Sequence, residues 1–282
     1  MNGGFLPLIL LLVIFGIPSC VVSQFETCRQ PFRCGYLVDI PYPFYGVNRP
    51  VSCGAEGYEI ICRDNIPLIN TSSLLYRVLE INNLTRTLRV ARDDLWNDPC
   101  GQTQQPLNTT LDTTLFSLDE PSNDQNITLL YGCTLLPSQA RLPNLFDCSG
   151  RAALFFATPE LIRTFTCTGL EVTVWVTQSA ATSLGSNLSP DSSAQLLRTS
   201  IQGGFSIQWS ADNQNCQRCL DSGGACGSDG SSSFVCHCAN NTSVPSTCSI
   251  GNNSFISLPH HCIYPDFFVI PFIKNLFESI LL

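Results

Sequence analysis

Cys216, Cys219, Cys226, Cys236, Cys238 and Cys248 form the densest group of reactive side chains in the sequence, and His237 stands inside it. Thiolates so closely spaced can surround one tetrahedral zinc ion, or they can oxidise in pairs. Cys236 and Cys238 lie two apart, so on a strand both face one way and can meet separate partners. Cys216-Gln-Arg-Cys219 also has the spacing of a thiol–disulfide exchange pair, but that chemistry needs a strand leading into a helix, and the surrounding Asp, Asn, Ser and Gly argue against one. Acid–base chemistry is poorer still. The only histidines are His237, His260 and His261, which leaves a Ser-His-Asp arrangement without a well-placed base. Asp93-Asp94 and Asp119-Glu120 are neighbours that point apart on a strand and read as solvated turns. No catalytic residue, metal ligand or cofactor is assigned. A two-carboxylate glycosidase built from residues distant in sequence stays open as the enzyme alternative.

The compartment decides between zinc and disulfide. Residues 5–17 are apolar except for Pro7 and Gly16, a run shorter than the ~20 residues a bilayer span needs but right for the core of a signal peptide. Residues 1–23 are therefore read as a signal peptide, with cleavage before Gln24. In the oxidising compartment beyond, Cys28, Cys34, Cys53, Cys62, Cys100, Cys133, Cys148 and Cys167 join the six above to make fourteen cysteines, enough for seven bridges. Spacing does not define how they pair, and Cys262 is left over. The glycosylation sequons at Asn70, Asn83, Asn108, Asn126, Asn187, Asn240, Asn241 and Asn252 point to the same secreted, extracellular location. A net charge of −8 excludes nucleic acid as an expected partner.

The elements that must hold these residues read as mainly β: two small, disulfide-rich antiparallel-sheet modules with short helices and long loops. Period-two alternation marks residues 58–62, 75–81, 87–91 and 127–133 as strands, with a further strand within 114–118. These fall in a first module over residues 24–135. A second module over 136–249 opens with a short helix at 159–163, where Pro159 suits the first position. Leu170, Val172, Val174 and Val176 then share a strand face. Residues 178–200, rich in Ser, Thr and Ala, read as an exposed and mobile loop. Phe205, Ile207 and Trp209 resume the alternation. Residues 250–282 form a divergent tail, amphipathic or disordered, too interrupted by Pro271, Lys274 and Glu278 to span a membrane.

Eight of the 14 basic residues lie between Gln24 and Cys100, and all eight are arginine. The guanidinium fork suits bidentate contact with carboxylates, and aromatic faces suit sugar rings. Arg33, Tyr42, Tyr45, Arg49 and Arg63 are therefore the candidate ligand-binding residues, for a polyanionic glycan. Against this, each arginine could equally be an ordinary solvent-facing residue and each aromatic part of the core.

Cys34-Gly35, Ile40-Pro-Tyr-Pro-Phe-Tyr-Gly46, Cys53-Gly54, Tyr58-Glu-Ile-Ile-Cys62, Tyr76-Arg-Val78, Cys100 and Leu129-Leu-Tyr-Gly-Cys133 resemble the galacturonan-binding module of plant wall-associated receptor kinases. Gly204-Phe-Ser-Ile-Gln-Trp209, Cys216-x-x-Cys219, Ser222-Gly-Gly-Ala-Cys-Gly227 and Phe234-Val-Cys-His-Cys238 resemble the C-terminal module of the same family. The order is that of leaf-rust-resistance receptor-like kinase ectodomains. The resemblance implies an extracellular domain that binds pectin or oligogalacturonide, in the cell wall or at the outer face of the plasma membrane. These 282 residues contain no Gly-rich phosphate loop, His-Arg-Asp or Asp-Phe-Gly motif, so phosphoryl transfer has no apparatus within them. The alternative is a secreted structural or protein-interaction glycoprotein, a decoy or co-receptor that contacts another receptor and ignores glycans.

Overall fold

The computed structural model describes residues 19–20, 23–101, 106–139, 141–157, 164–186, 190–230, 233–249 and 262–263. The expected signal peptide, the helix at 159–163, the tail, and sequons Asn187 and Asn252 lie outside these residues. A two-residue ladder is the exception, with Ser19–Cys20 antiparallel to Cys262–Ile263. It sets Cys20 opposite Cys262, so the two cysteines outside the expected bridges are backbone neighbours.

Along the chain the strands of the three larger sheets are β1 Tyr45–Gly46, β2 Glu59–Arg63, β3 Ile66–Thr71, β4 Leu74–Asn82, β5 Thr87–Arg92, β6 Phe116–Leu118 and β7 Gln125–Tyr131. They continue as β8 Leu145–Cys148, β9 Arg151–Phe156, β10 Glu171–Val176, β11 Phe205–Trp209, β12 Ala225–Ser228, β13 Phe234–His237 and β14 Ser243–Val244. The helices are α1 Gln24–Arg29, α2 Gln178–Gly185, α3 Pro190–Gly203 and α4 Asn213–Asp221. The class is mainly β, as the alternation predicts. In β4, Leu74, Tyr76 and Val78 go inward while Leu75, Arg77 and Leu79 lie nearer the surface, which is the physical content of a half-buried strand.

The largest sheet has seven strands in the order β1-β2-β3-β4-β5-β11-β6, antiparallel apart from β1 against β2. A second sheet runs β8-β9-β7-β10, and a third β12-β13-β14. Strands cross residue 135 in both directions: β11 sits between β5 and β6, and β7 is central to the second sheet. The first core is built on Phe44, Tyr58, Ile60, Tyr76, Val90 and Trp209. Phe44 meets the Trp209 ring edge-on at 5.2 Å and the Tyr58 ring at 6.0 Å, so the Ile40–Gly46 motif supplies core as well as surface.

The described part of residues 178–200 corrects the loop expectation, because 178–185 form α2 and 190–200 most of α3. Thr177 caps α2 by accepting the Ala180 N–H, and Ala181 and Leu184 bury one face. Leu197 and Ile201, one turn apart on α3, enter the same core, and the Ser193 hydroxyl donates to the Leu145 carbonyl at 3.1 Å. Small Ser and Ala side chains lowered the apparent hydrophobicity while allowing close helix approach.

All fourteen expected cysteines pair: Cys28–Cys53, Cys34–Cys62, Cys100–Cys148, Cys133–Cys167, Cys216–Cys226, Cys219–Cys236 and Cys238–Cys248. Closing loops of this size removes denatured-state entropy worth about 3–4 kcal/mol per bridge in the chain-entropy account.

Candidate ligand-binding cleft

A cleft of about 590 Å³ opens where three separate segments converge. One wall is the end of α1 and the loop after it, with Arg29, Asp39 and Tyr42. The second is the tip of the β4–β5 hairpin, with Asn83, Leu84 and Arg86. The third is α4, with Asn213, Gln217 and Leu220.

Each wall is locally fixed. Arg29 occupies the last turn of α1, its guanidinium 4.9 Å from the centre of the Phe25 ring. At the hairpin tip, the Asn82 side-chain oxygen accepts the N–H groups of Leu84 and Thr85. Arg86 takes a left-handed φ of 58°, and its carbonyl accepts the Trp209 N–H at 3.0 Å, which ties the tip to β11. On α4, Asp212 accepts the Asn215 N–H as the N-cap, and Asn213 Oδ1 accepts from the Trp209 indole at 3.2 Å.

Electrostatics distinguish this cleft. Three of the eight arginines in the first hundred residues are neutralised, Arg77 by Asp93, Arg89 by Glu80 and Arg92 by Asp94. Arg29, Arg33, Arg49, Arg63 and Arg86 form no ion pair with a described carboxylate. Of these, Arg29, Arg49 and Arg86 line the one cleft, where Asp39 is the sole carboxylate among the described lining residues. Arg49 is only 8% exposed. It donates from Nε to the Cys53 carbonyl at 3.3 Å and from Nη1 to the Ile40 carbonyl at 3.1 Å. Burial lowers its pKa, yet an arginine starts so high that it keeps its charge at physiological pH. Tyr42, 6% exposed, packs edge-on to Phe234 at 5.6 Å, and burial, with Asp212 nearby, pushes its phenol up to about 12.

The five sequence candidates thus separate. Tyr42 and Arg49 meet in the cleft. Arg33 is exposed on a second, open hollow beside Tyr36, Val47 and Asp64. Arg63 is exposed at the end of β2 and lines neither hollow. Tyr45 is half-buried, and its phenol is raised by burial and then by Glu59 and Glu56, an acidic setting unsuited to a polyanion. Arg29, Arg86, Asn213 and Gln217 were not singled out from sequence. Local spacing carries no signal that α4 approaches a hairpin more than a hundred residues away.

The cysteine cluster is settled by its bonding. The sulfurs of Cys236, Cys238 and Cys248 lie within 4.8 Å of one another, near enough for one metal ion. All three are in disulfides and offer no thiolate. Cys216 and Cys219 do follow a strand-to-helix passage, β11 into α4, which corrects the sequence argument. Even so, they bond to Cys226 and Cys236 and not to each other. His237 is buried, with Nδ1 2.9 Å from the Ser243 hydroxyl and Nε2 3.2 Å from the Ser52 carbonyl. Since a carbonyl only accepts, Nε2 carries a proton and donates it to the Ser52 carbonyl, while Nδ1 shares a hydrogen bond with the Ser243 hydroxyl. The ring is a stitch between β13 and the 51–53 turn.

Among the described residues no helix is long and apolar enough to cross a membrane. The profile of the wall-associated receptor kinase galacturonan-binding family matches residues 28–92, and that of the wall-associated receptor kinase C-terminal family matches 157–241. Both are ectodomain modules and imply an extracellular location. Among curated proteins, the Arabidopsis thaliana leaf rust 10 disease-resistance locus receptor-like protein kinase-like 1.2 is 30% identical over 241 residues, 82% of this chain and 35% of the relative. Kinase-like 1.3 of the same set is 30% identical over 230 residues, 79% of this chain and 31% of the relative. The chain spans about a third of the length of these relatives. No solved structure matches. The chain is thus a wall-associated receptor kinase-like ectodomain, built from that family's galacturonan-binding and C-terminal modules.

Proposed function

We propose that this ectodomain binds acidic cell-wall polysaccharide, specifically oligogalacturonide from pectin, in the cleft between the β4–β5 hairpin, the α1 loop and α4. The observation that carries the reading is the convergence of Arg29, Arg49 and Arg86 on one concavity with a single carboxylate in its lining. Galacturonate presents one carboxylate per sugar, and the exposed guanidinium groups of Arg29 and Arg86 suit bidentate contact with it. Asn213 and Gln217 bring amides that suit sugar hydroxyls, and the exposed Leu84 and Leu220 offer apolar contact to ring faces. The volume falls within the ~300–1,000 Å³ usual for ligand sites.

Titration of a secreted 24–248 fragment with oligogalacturonides tests this. Binding should weaken with added salt and with methyl esterification, and Arg29→Ala and Arg86→Ala should each reduce affinity about tenfold, or ~1.4 kcal/mol. Retention of full affinity by the double variant would refute the cleft. The same incubation with pectin should release no new reducing ends, because binding alone is proposed. A second reading, contact with another receptor in the wall space, draws on Tyr36 and Val47, 58% and 72% exposed beside Arg33. It predicts a partner interaction lost in Tyr36→Ser and Val47→Ser while galacturonide binding persists.

A further inference from the structure

We infer that an N-linked glycan on Asn83 gates the cleft, admitting short acidic oligosaccharides and holding back long chains. Asn83-Leu-Thr85 is a sequon at the tip of the β4–β5 hairpin. The six sequon asparagines among the described residues are all exposed, but only Asn83 lines the cleft. Their local settings also differ. Asn70 and Asn126 are held within β3 and β7. The side-chain oxygen of Asn108 accepts the Thr173 N–H, and that of Asn240 accepts both the N–H and the hydroxyl of Thr242. Asn83 has no hydrogen bond from its amide to a described residue. Its neighbour Leu84 is 95% exposed, which places the tip fully in solvent.

In the modification the Asn83 amide nitrogen forms a bond to C1 of a lipid-diphosphate-linked oligosaccharide. The C1–O bond to the diphosphate breaks, the diphosphate leaves with that electron pair, and the amide gives up one proton. The product is bulky, neutral and hydrated. At the tip it stands three residues before Arg86, on a turn held by Asn82 and by the contact between the Thr85 and Thr87 hydroxyls at 2.7 Å. A rigid turn keeps the glycan at the mouth. Being uncharged, the glycan narrows the entrance without cancelling the field of the arginines. The size selection rests on the polysaccharide reading above, whereas the shielding of the arginines does not.

The test uses the full chain secreted from a glycosylating eukaryotic host, as parent, Asn83→Gln, and Thr85→Ser, which keeps the sequon. Peptide mass mapping should find Asn83 occupied in the parent and in Thr85→Ser. Phenylglyoxal labelling of Arg29 and Arg86, read by mass spectrometry, should be about threefold slower in both glycosylated forms than in Asn83→Gln. Asn83→Gln should gain severalfold affinity for long polygalacturonate and little for a short oligomer. An unoccupied Asn83, or equal labelling in all three proteins, overturns the gate. Glycan-dependent labelling with no galacturonide binding by any form would leave the gate standing and sink the ligand assignment alone.

Discussion

Arg49 and Arg86 border the same cleft and do opposite work. Arg49 gives its donors to the carbonyls of Ile40 and Cys53, so Arg49→Ala leaves two buried acceptors without partners. Denaturant unfolding should register about 1–3 kcal/mol of lost stability. Arg86→Ala, on an exposed turn, should change stability by less than about 0.5 kcal/mol and be felt only in binding. The buried phenols set an alkaline limit. Burial raises Tyr42 and Tyr76 to about 12, from 10.0 for an unperturbed tyrosine. The unfolded chain therefore releases these protons first, and stability falls wherever it holds fewer protons than the native state. The contribution is complete below pH 10 and is lost as pH rises toward 12. Thermal unfolding followed across that window should show a steep decline in Tm, smaller in Tyr42→Phe.

Among the elements, β11 has the most to lose. It is the strand through which the later half of the chain completes the first sheet, and Trp209 at its end closes on Phe44 and anchors α4 through Asn213. Trp209→Ala should cost about 3–5 kcal/mol by emptying a site with no room to collapse, measured by denaturant unfolding of whatever is secreted. The β12–β13 knot has an equally sharp requirement at Gly224. A side chain there would strike the sulfur atoms of Cys219, Cys236 and Cys248. Gly224→Ala is expected to scramble the Cys219–Cys236 and Cys238–Cys248 bridges, visible as altered disulfide-linked peptides, while Cys28–Cys53 and Cys34–Cys62 form normally.

For the whole molecule, the exchange of strands across residue 135 predicts that the two halves do not fold apart. A fragment of residues 24–135 lacks β11 and strands β7 in a sheet that no longer exists, leaving hydrogen-bonding edges open. It should be secreted poorly and aggregate, whereas the 24–248 fragment should be recovered as a soluble monomer. Recovery of a monomeric 24–135 fragment with its Cys28–Cys53 and Cys34–Cys62 bridges intact would count against this reading. The cleft follows the same logic, since two of its walls come from before that boundary and the third, α4, from after it, and binding should vanish in either half alone.

Strand alternation, the even cysteine count and the charge pattern were legible in sequence because each is local: a side chain two positions along faces the same way whatever the rest of the chain does. That was enough for the mainly β class, the seven bridges and the concentration of arginine. Helices α2 and α3 escaped because Ser and Ala hid the apolar stripe of Ala181, Leu184, Leu197 and Ile201. The pairing of cysteines, the insertion of β11 and the meeting of Arg29, Arg49 and Arg86 with α4 depend on contacts between segments far apart along the chain. No local periodicity encodes such distances. Only the packing of the sheets brings those arginines to one surface, and only it separates Arg33 and Arg63 from them.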